Sequence, residues 1–418
     1  MGASFYYRND VLFAENVNLK ELTAEVDTPF YLYSQKRIED NCKIVLEAGQ
    51  DLDFLPCFAL KANYNPTILK LIRSLGFGAD VVSGGELQFA LKAGFTPDKI
   101  VFAGVGKTAK EIELAINTGI HSINIESVEE FESVKSLANQ LKKKVSVAFR
   151  INPDIEAPTH DYIATGKHIN KFGIPLKDAL PLYEQAANDQ WLNPIGLHVH
   201  IGSQILDVQP FLETADYLIE TVNMLRHKGL PLSILDLGGG IGIDYSENMF
   251  VKPDWPLQKI LPAFLKKFSG LNVKLVAELG RAIIGDAGLL ITRVLYRKQT
   301  PLKKFVIVDA AMNNLLRPSL YKAYHPIVPV QKTNEQNETV DIVGPVCESG
   351  DFFAQNRTLQ PVKQGDFLAI GGAGAYGQAL ASNYNLRPLI PEFLVNGKQV
   401  KTIFKGESIE QIAQKYEW

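Results

Sequence analysis

Apolar, β-branched runs alternate with helical patterns along the first two thirds of the chain. The runs predict strands at residues 57–60, 79–82, 100–103, 122–125, 145–151, 196–201, 234–237 and 275–278. Three of the helical segments between them end in Gly76, Gly94 and Gly119, which suit left-handed C-terminal caps. This repeated strand–helix unit predicts an α/β fold, a (β/α)8 TIM-like barrel. A doubly wound sheet is the alternative, and it fits less well because the alternation has no visible break.

After about residue 282 the pattern changes to strand-like runs with few helices, such as GLLITRVLYRKQ, KKFVIVDAAM and DFLAIGG. The early segment FYYRNDVLFAENV also predicts a pair of strands. We therefore predict a barrel over residues 27–281 and a β-rich domain, a small barrel or sandwich, from 1–26 and 282–418. The interval between Arg150 and Gly196 is long and rich in Pro, Gly, Asp and His, which indicates a binding loop.

Composition narrows the class of protein. The 418 residues are 46% hydrophobic and 21% charged, with a net charge of −3, which is ordinary for a globular enzyme. No basic stripe suggests nucleic acid or an anionic membrane as a partner, and no apolar run approaches the ~20 residues of a membrane helix. Cys42, Cys57 and Cys347 form neither a disulfide framework nor a metal-binding spacing. With no signal-peptide pattern at the N-terminus, we expect a cytoplasmic protein.

In a (β/α)8 barrel, the chemistry collects at the carboxyl ends of the strands. The polar and glycine residues at or just beyond those ends are Lys61, Asp80, Ser83, Glu126, Arg150, Asn152, His198, His200, Gly202, Ser203, Gly238, Gly239, Gly240, Glu278, Gly280 and Arg281. Taken alone, Lys61 could be only the first solvated residue after a buried strand. These strand ends instead favour one active site, because they place an amine, carboxylates, two imidazoles and a glycine loop on the same rim.

The glycine and histidine motifs each have a competing interpretation. LDLGGGIGID could be a dinucleotide fingerprint, but that motif opens the helix of a first βαβ unit. Glycines after a seventh barrel strand better suit a phosphate cradle. HVHIGS places two imidazoles on one side of a strand, but no spacing supplies a third metal ligand. An imidazole stacked on a flat cofactor, with Ser203 bonding its phosphate, is favoured over a metal site.

A lysine, a phosphate cradle, a stacking imidazole and a carboxylate together point to pyridoxal 5'-phosphate. The amine of Lys61 can form a Schiff base with the cofactor's aldehyde, and an acid can keep its pyridine nitrogen protonated. Glu278 is the natural partner for that nitrogen. A protonated ring withdraws electrons from the α-carbon of a bound amino acid, so it stabilises the carbanion left by a departing group.

The segments FALKAN, HVHIGSQ, DLGGGIG, ELGR, CESGD and GAYG, taken in order, resemble the signature segments of the fold type III pyridoxal-phosphate decarboxylases. The resemblance runs from about Phe5 to the C-terminus. It is strongest to the members that convert meso-2,6-diaminopimelate to L-lysine and CO2, the last step of bacterial lysine biosynthesis. It implies that Lys61 carries the cofactor, that His200 stacks on its ring and that Glu278 meets its pyridine nitrogen.

The same resemblance implies roles for the remaining site residues. The implied cofactor-binding residues are Lys61, Asp80, His200, Ser203, Gly238, Gly239, Gly240, Glu278, Gly280, Arg281 and Tyr376. The implied substrate-binding residues are Arg281, Arg317, Tyr321, Glu348 and Tyr376. Cys347 would be the general acid, supplied by a second subunit, so the resemblance implies a homodimer with shared active sites.

Two positions depart from the family pattern. Leu279 stands where the family usually has Pro, which relaxes the turn that aims Glu278 and Arg281. Leu386 stands where it usually has Ser, which can reshape a surface around the phosphate or the dimer contact. Neither departure removes a functional group.

Other functions remain open at this stage. Family racemases place an arginine at the pyridine nitrogen, so Glu278 argues against a racemase. A decarboxylase of another basic amino acid or of the polyamine pathway is the nearest enzymatic alternative. A non-catalytic relative that only binds partner subunits is disfavoured by Lys61. For single residues, Cys347 could be a buried cysteine that only packs, and Arg317, followed by Pro318, could merely brace the β-rich domain.

Overall fold

The structure is a computed structural model that describes residues 4–153, 171–251 and 255–417. The chain divides into two compact units. The first, here called the β unit, comprises Met1–Asn41, Ile243–Trp255 and Ile283–Trp418. The second, here called the barrel unit, comprises Cys42–Gly242 and Pro256–Ala282.

Strands and helices of the described residues are numbered along the chain. The strands are β1 (Phe5–Arg8), β2 (Val11–Ala14), β3 (Val17–Asn18), β4 (Phe30–Ser34), β5 (Phe54–Ala59), β6 (Gly78–Val81), β7 (Ile100–Phe102), β8 (Ser122–Ile125), β9 (Val145–Arg150), β10 (Leu192–His198), β11 (Ile234–Asp236), β12 (Lys274–Leu279), β13 (Gly288–Gln299), β14 (Lys304–Val308), β15 (Ile327–Pro329), β16 (Glu338–Val343), β17 (Phe352–Leu359), β18 (Phe367–Ile370), β19 (Glu392–Asn396) and β20 (Gln399–Phe404). The helices are α1 (Leu19–Glu25), α2 (Gln35–Ala48), α3 (Pro66–Ser74), α4 (Gly84–Ala93), α5 (Ala109–Thr118), α6 (Val128–Leu141), α7 (Leu176–Ala187), α8 (Gln209–His227), α9 (Pro256–Lys266), α10 (Arg281–Ile284), α11 (Arg317–Tyr321) and α12 (Ile409–Ala413).

The barrel unit contains the predicted (β/α)8 barrel. Its strands close in the order β10-β11-β12-β5-β6-β7-β8-β9, and each pairs with its neighbours in parallel. All eight predicted strands are among them. The strand ends differ in detail: β5 ends at Ala59 and β10 at His198, so Lys61 and His200 both lie beyond the sheet. The fold prediction is confirmed.

Local signals in the sequence begin and end the barrel helices. The side chain of Thr108 caps α5 and forms a reciprocal capping box with Glu111. Gly94 and Gly119 close α4 and α5 in the left-handed conformation, with φ of 91° and 71°. Residues with an L side chain disfavour this conformation, which is why glycine ends these helices. The predicted caps at Gly94 and Gly119 are confirmed.

The β unit is built on a branched sheet of nine strands. Its main path runs β17-β16-β14-β13-β4-β19-β20, while β18 pairs with β13 and β15. A separate three-stranded sheet contains β1, β2 and β3. The hydrophobic core includes Phe30, Leu32, Leu289, Ile291 and Phe393. The β-rich second domain is therefore confirmed as a class.

The bounds of the two units differ from the predicted ones in two places. Strand β4 pairs with β13 and β19 in the β unit, because its FYLYS side chains are fully buried there. Residues 243–255 also belong to the β unit, where Met249 and Phe250 enter the core. The predicted boundary at residue 27 rests on where the strand–helix pattern begins. That pattern does not show that β4 and residues 243–255 belong to the β unit.

The predicted binding loop between Arg150 and Gly196 is described only at its ends, since residues 154–170 lie outside the described residues. The helix expected after it is α7, Leu176–Ala187. Among the described residues, none of the helices combines the length and apolar character needed to cross a membrane.

Gly196 offers a test of the barrel's packing. A Cβ at this position of β10 would overlap the backbone carbonyl oxygen of Ile234 on β11. Gly196→Ala should lower the free energy of unfolding by about 1 to 3 kcal/mol, the usual cost of overpacking. Gly106→Ala is the control, because a Cβ there meets no atom within 4 Å. Urea unfolding followed by circular dichroism measures both variants, and equal destabilisation would contradict the close β10–β11 packing.

Candidate active site

Lys61 lies in a short 3₁₀ turn, Leu60–Ala62, directly after β5. Its Nζ is 3.3 Å from Oδ2 of Asp80, which is fully buried on β6. Gly280 packs against this turn, because a Cβ there would lie 2.9 Å from the Cβ of Ala62. The Lys61 side chain is only 35% exposed. A merely solvated strand-end lysine would not be expected to pair with a buried carboxyl group, so the structure favours the interpretation of Lys61 as a site residue.

Four polar side chains on different strands meet inside the barrel unit. They are Asn124 on β8, His198 on β10, Asp236 on β11 and Glu278 on β12, and none is more than 4% exposed. The Nε2 of His198 lies 3.3 Å from Oε2 of Glu278. The amide of Asn124 donates to Oδ2 of Asp236 at 3.1 Å and to Oε1 of Glu278 at 3.5 Å. Asn124 therefore bridges the two carboxyl groups.

The buried carboxyl groups titrate in different directions. Burial raises the pKa of Asp236 well above its usual range, and the charge of Glu278 raises it further. Burial also acts to raise the pKa of Glu278, but His198 and then Lys61 outweigh it and hold that pKa below its usual range. Burial and the charge of Glu278 raise the pKa of Asp80 to about 7, although Lys61 opposes the rise. Since two adjacent carboxylates cannot both ionise in the interior, Glu278 carries the charge and Asp236 the proton.

The same residues provide the metal-ligand set that the HVH spacing alone could not show. The ligand atoms of His198, Asp236 and Glu278 lie within 4.8 Å of one another. Each comes from a different strand, so sequence spacing carries no trace of the cluster. Its members already interact with one another and with Asn124: Nε2 of His198 lies 3.3 Å from Glu278, and Asn124 donates to both carboxyl groups. We interpret the cluster as an electrostatic support for Glu278.

His200 has a fixed orientation and a defined protonation state. Its Nδ1 accepts a hydrogen bond from the N–H of Gly239 at 3.1 Å. Burial lowers the pKa of His200 well below its usual value, and the charge of Lys61 lowers it further. The ring is therefore neutral, with its proton on Nε2. A neutral, oriented imidazole suits stacking on a flat ring.

The glycine loop Gly238–Gly240 follows β11 and lies against neighbouring backbone. A Cβ on any of the three residues would overlap a backbone carbonyl oxygen, namely that of Val199, Glu278 or Gly202. Gly238 and Gly240 also have φ of 61° and 102°, which L side chains disfavour. Only glycine fits where this loop approaches the segment after β10 and the backbone of β12 so closely.

Two amides of the glycine loop already have acceptors within the barrel unit. The N–H of Gly238 donates to Oδ1 of Asp236 at 3.0 Å, and that of Gly239 donates to His200. The sequence predicted that the N–H groups of this loop would face a phosphate. For these two residues the structure shows a different use, because their amides orient the carboxyl group and the imidazole of the site.

Arg281 and Ser203 form a group suited to an anion. Arg281 begins α10, separated by one residue from the end of β12, and its Nη2 donates to Oγ of Ser203 at 3.1 Å. A guanidinium beside a hydroxyl can bind phosphate or carboxylate oxygens. Leu279, the departure from the family pattern, is buried in the β12 ladder opposite Phe58. It therefore fits within the strand between Glu278 and Arg281.

The other predicted site residues belong to the β unit and occupy three segments. Arg317 and Tyr321 are the first and last residues of α11. Cys347 and Glu348 lie on the loop between β16 and β17, and both are exposed. Tyr376 follows β18 and is half-buried, with φ of 56°.

The loop that carries Cys347 is held by its own polar contacts. The N–H of Cys347 donates to Oδ1 of Asn385 at 2.9 Å. Oδ2 of Asp351 accepts from the N–H of Val346 at 2.7 Å. The Cys347 side chain is exposed, so the interpretation of this residue as a buried packing cysteine is wrong. Leu386, the second departure from the family pattern, follows Asn385 and is 65% exposed.

Sequence reasoning missed four residues of these arrangements: Asn124, Asp236, Tyr245 and His325. Asp236 stands beside the glycine motif and pairs with His198 in the sheet register, so strand alternation could have found it. Asn124 gives a weaker signal, as a polar residue within an apolar strand. Tyr245 and His325 contact Arg317 only through the fold, and nothing in their spacing indicates it.

Comparisons with known proteins agree on one family. The family model of the pyridoxal-dependent decarboxylases, pyridoxal binding domain, matches residues 35–285. Diaminopimelate decarboxylase of Aquifex aeolicus is 44% identical over 408 residues, which cover 98% of this chain and 96% of that protein. The chain belongs to the diaminopimelate decarboxylase family.

Solved structures of the family have the same fold. Diaminopimelate decarboxylase from Helicobacter pylori, complexed with L-lysine, is 42% identical with a TM-score of 0.89, over 95% of this chain and 99% of that one. The enzyme from M. jannaschii, also with L-lysine, is 35% identical with a TM-score of 0.91, over 99% and 97% of the two chains.

The residues of the barrel unit fit pyridoxal phosphate, the cofactor of this family. Oδ1 of Asp80 is buried and has no hydrogen-bond partner among the described residues, so it remains an acceptor for a bound group. The amine of Lys61 lies beside it. The Ser203–Arg281 pair suits a phosphate, and the ionised Glu278 suits a protonated ring nitrogen.

Replacing Asp236 or Glu278 by its neutral amide should have different effects on activity. Asp236→Asn replaces a group that is already protonated, so cofactor content and decarboxylase activity should stay close to those of the wild type. Glu278→Gln removes the ionised group and should lower activity roughly 100-fold, as loss of one preorganised electrostatic contact does. Absorbance of the bound cofactor and initial rates measure both effects. A large loss in Asp236→Asn with little in Glu278→Gln would reverse the assignment.

A pH series adds an independent measurement. Because folding raises the pKa of Asp236, its contribution to stability is complete below its unfolded pKa of about 4 and is lost as the pH rises. Asp236→Asn lacks this loss. The melting temperature of Asp236→Asn, relative to that of the wild type, should therefore rise between pH 4 and pH 8. A difference that stays constant over this range would contradict the protonated state of Asp236.

Proposed function

We propose that this protein decarboxylates meso-2,6-diaminopimelate to L-lysine and CO2, with pyridoxal 5'-phosphate as its cofactor. The observation that carries the proposal is the buried, ionised Glu278, paired with His198 at 3.3 Å. A carboxylate at that position suits a protonated pyridine ring and therefore decarboxylation. Relatives that match nearly the whole chain bear this activity in their names, and two were solved with L-lysine bound.

When bound, the cofactor supplies an electron sink that accepts the pair left on the α-carbon as CO2 departs. In our assignment Lys61 would hold the cofactor covalently through its amine and would give up that place to the substrate amine. The neutral ring of His200 would stack against the cofactor, and the ionised Glu278 would keep its ring nitrogen protonated. We assign the phosphate to Ser203, Gly240 and Tyr376, while Gly280 and Arg281 complete the cofactor-binding set. Gly238 and Gly239 shape the loop, because their amides already donate to Asp236 and His200.

The distal end of meso-diaminopimelate carries both an ammonium and a carboxylate group. We assign carboxylate binding to Arg281 and Arg317, whose guanidinium groups can donate two parallel hydrogen bonds. Glu348 is assigned to the ammonium group, and Tyr321 and Tyr376 complete the substrate-binding set. A diamino acid without the second carboxylate would leave a guanidinium facing an ammonium group.

Cys347 is assigned as the acid that returns a proton to the α-carbon, within the site of a partner subunit. Its exposed side chain and the exposed Glu348 beside it support this assignment. The contacts of Asn385 and Asp351 hold the loop in shape without burying the thiol. The proposed assembly is a homodimer with shared active sites.

Substrate selectivity tests the proposed activity. Meso-diaminopimelate should be decarboxylated with a kcat/KM about 10,000-fold above those of ornithine and L-lysine, because an unpaired buried polar group is costly. Lys61→Ala should be inactive on every substrate, since it lacks the amine that binds the cofactor. Released CO2 and the amine product are measured for each pair. Equal turnover of ornithine and meso-diaminopimelate by the wild type would overturn the substrate assignment.

Mixing inactive subunits tests the shared site. Lys61→Ala and Cys347→Ala proteins, mixed after subunit exchange, should regain up to about a quarter of wild-type activity, since half of random dimers are hybrids with one intact site. The control mixes Lys61→Ala with Glu278→Gln. Both residues lie in the barrel unit of one chain, so no hybrid has an intact site and this mixture should not exceed the residual activity of Glu278→Gln. No recovery in the first mixture would refute the shared site.

A further inference from the structure

Arg317 is held by two neutral groups within the β unit. Its Nη1 donates to the hydroxyl of Tyr245 at 2.9 Å and lies 2.8 Å from Nε2 of His325. The guanidinium carbon also lies 4.9 Å from the centroid of the Tyr245 ring. The Arg317 side chain is buried. These contacts fix one end of the guanidinium, so the planar donor fork of Arg317 has a defined orientation.

The two neighbours of His325 define its tautomer. A guanidinium can only donate, so Nε2 of His325 must accept the hydrogen bond from Arg317. Its Nδ1 lies 2.8 Å from the carbonyl oxygen of Gly371, which can only accept, so Nδ1 carries the proton. His325 is fully buried in this neutral form. His325 therefore accepts a hydrogen bond from the Arg317 guanidinium and donates one to the backbone of the loop after β18.

Tyr245 is placed by a segment whose position in the β unit is well anchored. Met249 and Phe250, a few residues further along, lie in the hydrophobic core. The ring of Tyr245 packs edge-on to His325, with centroids 5.1 Å apart. A Cβ on Gly372 would lie 2.8 Å from two ring carbons of Tyr245, so this glycine makes room for the ring. Tyr245, His325 and Arg317 therefore form one packed group.

We propose that Tyr245 and His325 are positioning residues that orient the Arg317 guanidinium toward the distal carboxylate of the substrate. This inference rests on the proposed function, in which Arg317 binds that carboxylate. Both contacts are to neutral acceptors, so they orient the guanidinium without cancelling its charge. An aspartate or glutamate in either place would orient Arg317 equally well but would compete with the substrate carboxylate.

Two single substitutions test the proposal, with Arg317→Ala as the reference. Tyr245→Phe removes one acceptor while keeping the ring, and His325→Leu removes the other. Each should raise KM for meso-diaminopimelate about 5- to 10-fold with kcat little changed, as expected when a rotamer-rich side chain must be ordered on binding. The cofactor absorbance spectrum should not change in either variant.

Conservative and remote variants provide the controls. His325→Gln keeps one donor and one acceptor, so its KM should return toward the wild-type value. Tyr324→Phe and His227→Leu repeat the same chemical changes at exposed positions, and both should behave as the wild type. In the background of Arg317→Ala, Tyr245→Phe should have no further effect on KM, because the group it orients is absent.

The outcomes separate this inference from the proposed function. If Arg317→Ala leaves KM unchanged, the assignment of Arg317 to substrate binding fails. If Arg317→Ala raises KM but Tyr245→Phe and His325→Leu do not, the positioning role is wrong while the proposed function stands. An equal rise for Tyr245→Phe with and without Arg317 would also refute it. Should His325→Leu fail to fold, Tyr245→Phe and the double-substitution comparison decide the question.

Discussion

The burial of the ionised Glu278 carboxylate inside the barrel is the constraint on which the rest of the site depends. Taking a charge out of water is costly unless close partners compensate for it. Here the compensation comes from His198 at 3.3 Å, from the amide of Asn124 and from Asp236, which gives up its own charge by holding a proton. Barrel closure brings these groups together, since each lies on a different strand.

The glycine loop follows from the same constraint. Two of its amides donate hydrogen bonds, one to the carboxyl group of Asp236 and one to Nδ1 of His200. The loop therefore orients Asp236, the neighbour of Glu278, and sets the tautomer of His200. Gly239 also lies against the backbone of Glu278 itself, where any side chain would overlap. Five residues after Gly240, the same stretch of chain reaches Tyr245, which contacts Arg317. One segment of the chain thus contributes both to the proposed cofactor site and to the orientation of Arg317, the proposed substrate-binding residue.

The fold was largely predictable because its elements are encoded locally. Most barrel strands are short apolar runs with β-branched residues, and glycine caps such as Gly94 and Gly119 mark the helix ends. The unit boundaries were not predictable, because β4 joins the β unit through pairing with the distant strands β13 and β19. Long-range pairing leaves little trace in a single sequence.

The candidate site was predictable to the same extent. Lys61, His200 and Glu278 stand at strand ends, where barrel chemistry collects, and their motifs resemble a known family. The residues that tune them, such as Asn124, come from other strands and show no motif of their own. The expectation that the glycine amides face a phosphate was inaccurate for Gly238 and Gly239, because sequence cannot show which acceptor an amide finds.

The protonation state of the cofactor's ring nitrogen tests the central claim most directly. The protein, reconstituted with pyridoxal phosphate labelled with ¹⁵N in the ring, can be measured by ¹⁵N NMR near neutral pH. If Glu278 is the ionised partner of that nitrogen, its chemical shift should be that of a protonated pyridine and should stay so across the stable pH range. A shift typical of unprotonated pyridine in the wild-type protein would contradict the account.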